Sequence, residues 1–251
     1  MKSIFRVAPL LLTAALIVVL IAQPSAEPNA YLVFYKGEIR VGVDASYAPF
    51  AVATADDLFG LEIDLARALG AEIGLPVRFV NLGFDGLFDA LRTDQVDVLM
   101  SALPIDPARS GTFLYTQPYF NAGLVLVGEI TSMRDLPDHR LAYEYGSLAE
   151  SEARLWLRRV RPFDLLPLET HDAALDAART GEADAALVDY VAARLYLRDQ
   201  PEWGTNLTYV SDTLYAMVAR GDRPAIAARL DSALAELYAN GTIAALIDKW
   251  L

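Results

Sequence analysis

Asp85-Gly-Leu-Phe-Asp-Ala-Leu-Arg-Thr-Asp-Gln-Val-Asp97 recurs 87 residues later as Asp172-Ala-Ala-Leu-Asp-Ala-Ala-Arg-Thr-Gly-Glu-Ala-Asp184. Asp85, Asp89, Ala90, Arg92, Thr93 and Asp97 are all matched in the second copy. Each copy reads as a short helix, a turn and a strand, so the repeat implies two related lobes, each with its own helix–turn–strand unit.

The flanking sequence extends both units. Ile39 to Asp44 alternates and is β-branched, which predicts a strand. Leu58, Leu61, Leu65, Leu69 and Ile73 recur at helical spacing, and Glu62, Asp64, Arg67 and Glu72 lie mostly off that stripe on an expected solvated face. Strands are expected at 76–80 and 96–100, with a helix at 86–92 capped by Asp85. In the second half, strands are expected at 140–145, 164–168 and 183–188, alternating with helices at 148–159, 172–179 and 190–197. Asp222 is expected to cap a helix with Pro224 in its first turn, which Asn240-Gly241 ends before a last short helix. Strands alternating with helices argue for parallel βαβ units and an α/β fold.

Composition narrows the function. The net charge of −12 disfavours nucleic acid and anionic membrane surfaces as partners. The chain has no cysteine and two histidines, His139 and His171, far apart in sequence, so no metal site or cofactor is expected. Residues 1–26 hold a basic start with Lys2 and Arg6, an apolar run from Val7 to Ala22, and a polar, small-residue end at Gln23-Pro24-Ser25-Ala26. That is the layout of an export signal cleaved after Ala26, or of an N-terminal anchor if it is kept. Either form places the rest of the chain in the periplasm or otherwise outside the cytoplasm.

Ligands of open α/β sheets bind beyond the carboxyl ends of the strands. Those positions hold Asp44, Tyr47 and Phe50, then Phe84, then Ser101, Ala102 and Leu103 followed by Arg109, and in the second half Glu144, Gly146, Ser147 and Asp189. The set offers a guanidinium for a carboxylate, carboxylates for an ammonium, and aromatic walls, as an amino-acid-like ligand requires.

The stretches Ile39-Arg-Val-Gly-Val-Asp-Ala-Ser-Tyr-Ala-Pro-Phe50, Gly60-Leu-Glu-Ile-Asp-Leu-Ala-Arg-Ala-Leu69, Phe84 to Leu91, Asp97 to Arg109, Pro118-Tyr-Phe120, Gly146-Ser147 and Asp184 to Asp189 resemble, in order and spacing, the family 3 bacterial extracellular solute-binding proteins. The resemblance implies two Rossmann-like lobes of the periplasmic binding protein type 2 fold, joined by hinge strands near 124–128 and 213–218. Residues 36–126 with 216–251 would form the first lobe and 127–215 the second. It implies a monomeric carrier that closes around an amino acid and delivers it to an ABC transporter permease. Arg109 would take the ligand α-carboxylate and Asp189 its α-ammonium, with Tyr47 and Phe84 around the side chain. Ser101 and the Ala102 backbone would add hydrogen bonds, and Asp44 would reach the distal end.

Three positions depart from that pattern. Pro104 offers no N–H where the family has Ser or Thr, Leu148 replaces a frequent Thr, and Glu144 stands where an apolar residue is common. The pocket is thus poorer in anion donors and richer in carboxylate, which points to a cationic, amine-rich or non-standard ligand. The alternatives are a cyclohexadienyl-dehydratase-like enzyme, which needs a poised acid such as Glu144 or Asp189, and a membrane-anchored ligand sensor.

Overall fold

The computed structural model describes residues 33–251, so the expected export segment lies outside the described residues. The first lobe opens with β1 (Ile39–Val43), a small hairpin sheet of β2 (Ser46–Tyr47), β3 (Ala51–Ala53) and β4 (Leu58–Phe59), and helix α1 (Leu61–Ile73). β5 (Val77–Asn81), α2 (Leu87–Arg92), β6 (Val98–Leu99) and β7 (Phe113–Asn121) follow. The second lobe holds β8 (Leu124–Gly128), β9 (Arg140–Glu144), α3 (Leu148–Trp156), β10 (Asp164–Leu168), α4 (His171–Thr180), β11 (Ala185–Asp189), α5 (Tyr190–Asp199) and β12 (Asn206–Tyr209). The chain then returns to the first lobe with β13 (Leu214–Arg220), α6 (Pro224–Ala239) and α7 (Thr242–Trp250).

The two main sheets share one plan. The first has the order β5-β1-β6-β13-β7 and the second β10-β9-β11-β8-β12. In each, three parallel strands are extended by a fourth that runs antiparallel to them and a fifth antiparallel to the fourth. The fourth place in each sheet belongs to a strand that has just crossed from the other lobe. Helices cover both faces: α1 and α6 bury Leu61, Leu65, Leu69, Ile226, Leu230 and Leu234 on one side of the first sheet, and α2 buries Leu87 and Leu91 on the other. In the second lobe α3 packs Ala149 and Ala153 on one face and α4 packs Ala174 and Leu175 on the other. This is an α/β fold of two doubly wound lobes.

The repeated segments do the same work in both lobes. Asp97 accepts the Arg40 backbone N–H at 2.9 Å, and Asp184 accepts that of Arg140 at 2.7 Å. Thr93 and Thr180 each donate to the carbonyl four residues back, Asp89 and Asp176, at 2.8 Å. Arg92 and Arg179 pair with those same aspartates. The first copy is sealed, with Arg40 and Asp97 buried as an ion pair, whereas Arg140 and Asp184 stay exposed and the Arg140 guanidinium reaches Asp164 at 3.9 Å instead.

Several expectations shift. Leu58 belongs to β4 rather than to the helix, because Gly60 turns the chain at φ +131 and a Cβ there would lie 2.2 Å from the Phe50 carbonyl. Asp85 sits inside a 3₁₀ turn, Phe84–Gly86, and caps nothing. Asp222 is drawn to the Arg220 guanidinium, and Arg223 precedes α6 without a side-chain cap. The short strands β2 to β4, together with β7 and β12, were not expected.

The hinges also lie earlier than the resemblance implied. β8 pairs wholly within the second sheet and β13 wholly within the first, so the chain crosses at Ala122-Gly123 and again between Val210 and Thr213. Residues 124–126 therefore pack with the second lobe and 214–215 with the first, which moves the limits drawn at 126/127 and 215/216. Asn121 ties the crossings together: its Oδ1 accepts the N–H groups of Gly123 and Thr213, both at 3.0 Å, and its Nδ2 donates to Asp212 at 2.7 Å. Only glycine fits at 123, where a Cβ would lie 1.9 Å from the Ser211 carbonyl oxygen.

Candidate functional site

In the second lobe the carboxyl ends of β9 and β11, at Glu144 and Asp189, meet the crossing segments at Ala122, Ser211 and Thr213. A cavity of about 410 Å³ opens there. Ala122, Ser211 and Thr213 of the crossings line it, and the second lobe supplies Glu144, Ser147, Leu148, Glu152, Leu155, His171, Leu187 and Asp189. Among its described lining residues are three carboxylates, Glu144, Glu152 and Asp189, and neither lysine nor arginine.

Each second-lobe group is set by the end of a strand or the start of a helix. Asp189 ends β11 and caps α5, accepting the Ala192 N–H at 2.9 Å. Ser147 caps α3 by accepting the Glu150 N–H at 3.3 Å, and its hydroxyl donates to the Glu144 carbonyl at 2.7 Å. Glu144 ends β9, half-buried, with its Oε2 3.7 Å from His171 Nδ1. Gly146 turns the chain at φ +78, and its N–H is held by Glu150 at 2.8 Å, so it contributes shape to the loop and not a donor to the cavity. Glu152 accepts the Trp156 indole N–H at 3.0 Å. Glu152 and the cavity-lining place of His171 had no sequence signal beyond their helical positions.

None of the first-lobe candidates is among the residues that line this cavity. Tyr47 is 49% exposed and stacks on Phe50 at 5.4 Å, while Phe84 is 55% exposed. Phe50 itself is core, packed edge-on against Phe120 and Tyr215. Ser101 is buried and accepts the Asp44 N–H at 3.1 Å, and an Asp44 oxygen accepts the Ser46 N–H at 3.1 Å. Leu103 is buried. Arg109 lies over the Phe88 ring at 4.2 Å, with Asp106 accepting its Nε–H at 3.1 Å. Pro104 forms a bridge to Tyr215. The Tyr47 and Phe84 rings are thus exposed on the first lobe.

The lobes still sense each other electrostatically. The Tyr47 hydroxyl is pushed up first by burial and then by the Asp189 carboxylate. Tyr215, which pairs with Tyr47, is pushed up by burial, by Tyr47 and by Asp189. Asp189 of the second lobe therefore faces the Tyr47–Tyr215 pair of the first.

One group departs from expectation altogether. Glu62 was expected on a solvated helix face, yet it is 1% exposed. Its Oε1 accepts the Ala102 N–H at 2.6 Å and the Tyr119 hydroxyl. The Ala102 N–H, expected to serve the ligand, is occupied by this carboxyl. Burial pushes Glu62 up to about 7, against the Tyr119 and Ala102 hydrogen bonds that hold it down.

Comparison with known proteins agrees with this architecture. The model of the bacterial extracellular solute-binding proteins, family 3, matches residues 39–251. The ABC transporter arginine-binding protein 1 of Escherichia coli (strain K12) is 26% identical over 222 residues, 85% of this chain and 90% of that protein. An ancestral cationic amino acid solute binding protein superposes with a TM-score of 0.62 at 29% identity, covering 86% of this chain and 96% of that one. The L-cystine solute receptor of Neisseria gonorrhoeae, in its unliganded open conformation, shares the fold with a TM-score of 0.75 at 24% identity over 90% of this chain and 97% of that one. With two matching sheets, a cleft at their strand ends and a family match that runs from β1 to the last residue, the chain belongs to the bacterial extracellular solute-binding proteins, family 3.

Proposed function

We propose that the chain captures a cationic amino acid outside the cytoplasm by closing its lobes on it, and delivers it to an ABC transporter permease. The observation that carries this reading is the charge of the cleft: Glu144, Glu152 and Asp189 line it without a lysine or arginine among the described lining residues. A ligand with surplus positive charge gains attraction there, and one with surplus negative charge meets repulsion. Asp189 would take the α-ammonium, and Arg109 of the opposite lobe the α-carboxylate. Leu148, Leu155 and Leu187 offer an apolar channel for an aliphatic stem that ends at Glu144 and Glu152. The arginine-binding E. coli relative and the ancestral cationic amino acid binding protein support the same ligand class. Both are binding proteins, in keeping with a carrier that does no chemistry on its ligand.

A ligand that touches both faces favours the closed arrangement, and its binding energy drives the closure. Calorimetric titration with arginine, lysine, glutamine and glutamate tests the assignment. Arginine and lysine should bind more tightly than glutamine, and glutamate should not bind. Glutamate binding tighter than arginine would sink the proposal. Arg109→Ala should weaken every amino acid that binds.

A further inference from the structure

Glu62 lies in the first turn of α1 and is bonded to the segment after β6 that carries Ser101, Ala102 and Leu103, the first-lobe positions expected to serve the ligand. Ala102 has a left-handed backbone at φ +47, a conformation that non-glycine residues rarely adopt. The Glu62 carboxyl accepts that residue's N–H at 2.6 Å, the contact that clamps the turn. The other carboxyl oxygen, Oε2, is buried and has no hydrogen-bond partner among the described residues. An ionised carboxylate with one buried oxygen unpaired is costly, and a proton on that oxygen removes the charge.

Among the described residues no cation offsets the charge. The titratable groups around this carboxyl are Tyr119 on β7, Tyr215 on β13 and Tyr47 on β2, and the second-lobe Asp189 at the end of β11 acts on Tyr47 and Tyr215. None of these groups carries a positive charge in any protonation state. Among the described residues the pull toward ionisation comes from the Tyr119 hydroxyl, the Ala102 N–H and the positive end of α1.

We propose that Glu62 is a positioning residue of the ligand site, and that a cation entering the cleft drives a proton off it. The positive charge of the ligand enters as one proton leaves the carboxyl for solvent. The carboxylate left behind keeps its bonds to Ala102 and Tyr119 and holds the first-lobe turn more firmly. Capture is therefore tighter above neutral pH and weaker below it. This rests on the cationic reading of the cleft, and its test separates the two.

The full chain is titrated by carboxyl-carbon NMR, with the Glu62 resonance assigned by its absence in Glu62→Gln. The ligand-free protein should show a midpoint near 7, and saturating arginine should move it down by about one pH unit. Calorimetry at neutral pH, in buffers of different ionisation enthalpy, should detect proton release on arginine binding. Arginine affinity should rise on the order of tenfold between mildly acidic and mildly alkaline pH. Glu62→Gln, which keeps an acceptor for the Ala102 N–H, should bind arginine without that pH step, and Glu62→Ala should bind it more weakly than Glu62→Gln. If Glu62→Gln does not fold, the wild-type proton release decides alone. A ligand-free midpoint in the ordinary carboxylate range overturns the proposal, as does arginine binding without proton release. If no cationic amino acid binds while Glu62 still titrates near 7, the ligand class has failed and the coupling falls with it.

Discussion

Asp189 serves the fold and the cleft with one carboxylate. The α5 cap uses one oxygen, at 2.9 Å from the Ala192 nitrogen. Asparagine caps nearly as well as aspartate, so Asp189→Asn should leave stability within about 0.5 kcal/mol of wild type. It removes the negative charge an ammonium would meet, and arginine affinity should fall by about 10- to 100-fold in calorimetry. Unchanged affinity would remove Asp189 from the site. Glu62 acts at the same scale through pH. The folded protein keeps this proton up to about 7, whereas its ordinary value is 4.5. Between those values the folded state binds more protons than the unfolded chain, so the Glu62 contribution to stability falls as pH rises, by about 3 kcal/mol in all. Denaturant titrations at mildly acidic and mildly alkaline pH should show a smaller loss in Glu62→Gln than in wild type. Equal losses would mean that Glu62 ionises at its ordinary value. The sequence hid this residue because helical spacing separates stripe from off-stripe only along α1. What buries Glu62 is Tyr119 from β7 and the turn at Ala102, and neither contact leaves a mark in periodicity.

At the level of elements, legibility followed the strength of the local pattern. β10 falls at 164–168 as read, and the helices at 148, 171, 190 and 224 start within two residues of their expected places. β7 was missed because Gln117-Pro118 interrupts its pattern, and its register with β13 shifts at two points. β2 to β4 are too short for alternation to register. The crossings were misplaced by a few residues because an apolar run such as Leu124 to Gly128 reads alike in either sheet. What fixes the crossing is Asn121, a single polar side chain bonded to both crossing segments. Asn121→Ala strands the N–H groups of Gly123 and Thr213 and should cost about 2 kcal/mol. For a chain of this size that lowers the melting temperature by about 4–8 °C. A melting temperature unchanged by the substitution would show that the crossings hold without the clasp.

The whole molecule is two copies of one plan, exchanged at the crossings and joined behind them where Arg194 of α5 meets Asp248 of α7 at 2.9 Å. The repeat that began at Asp85 and Asp172 carried that much: both copies place an aspartate at the head of a strand, where it holds the backbone of the strand beside it. The composition of the cleft was legible residue by residue at the strand ends, but its distribution was not. Glu144, Ser147 and Asp189 share the cavity with Glu152, while Arg109 rests over Phe88 on the other lobe. Carboxylates line the second-lobe cavity and Arg109 belongs to the first lobe, and from that distribution we propose a zwitterion with an extra positive charge as ligand. The most direct test is calorimetric titration of the protein with L-arginine and, separately, L-glutamate at neutral pH and the same ionic strength. The account predicts saturable one-site binding of arginine and none of glutamate; tight glutamate binding with no response to arginine would contradict it.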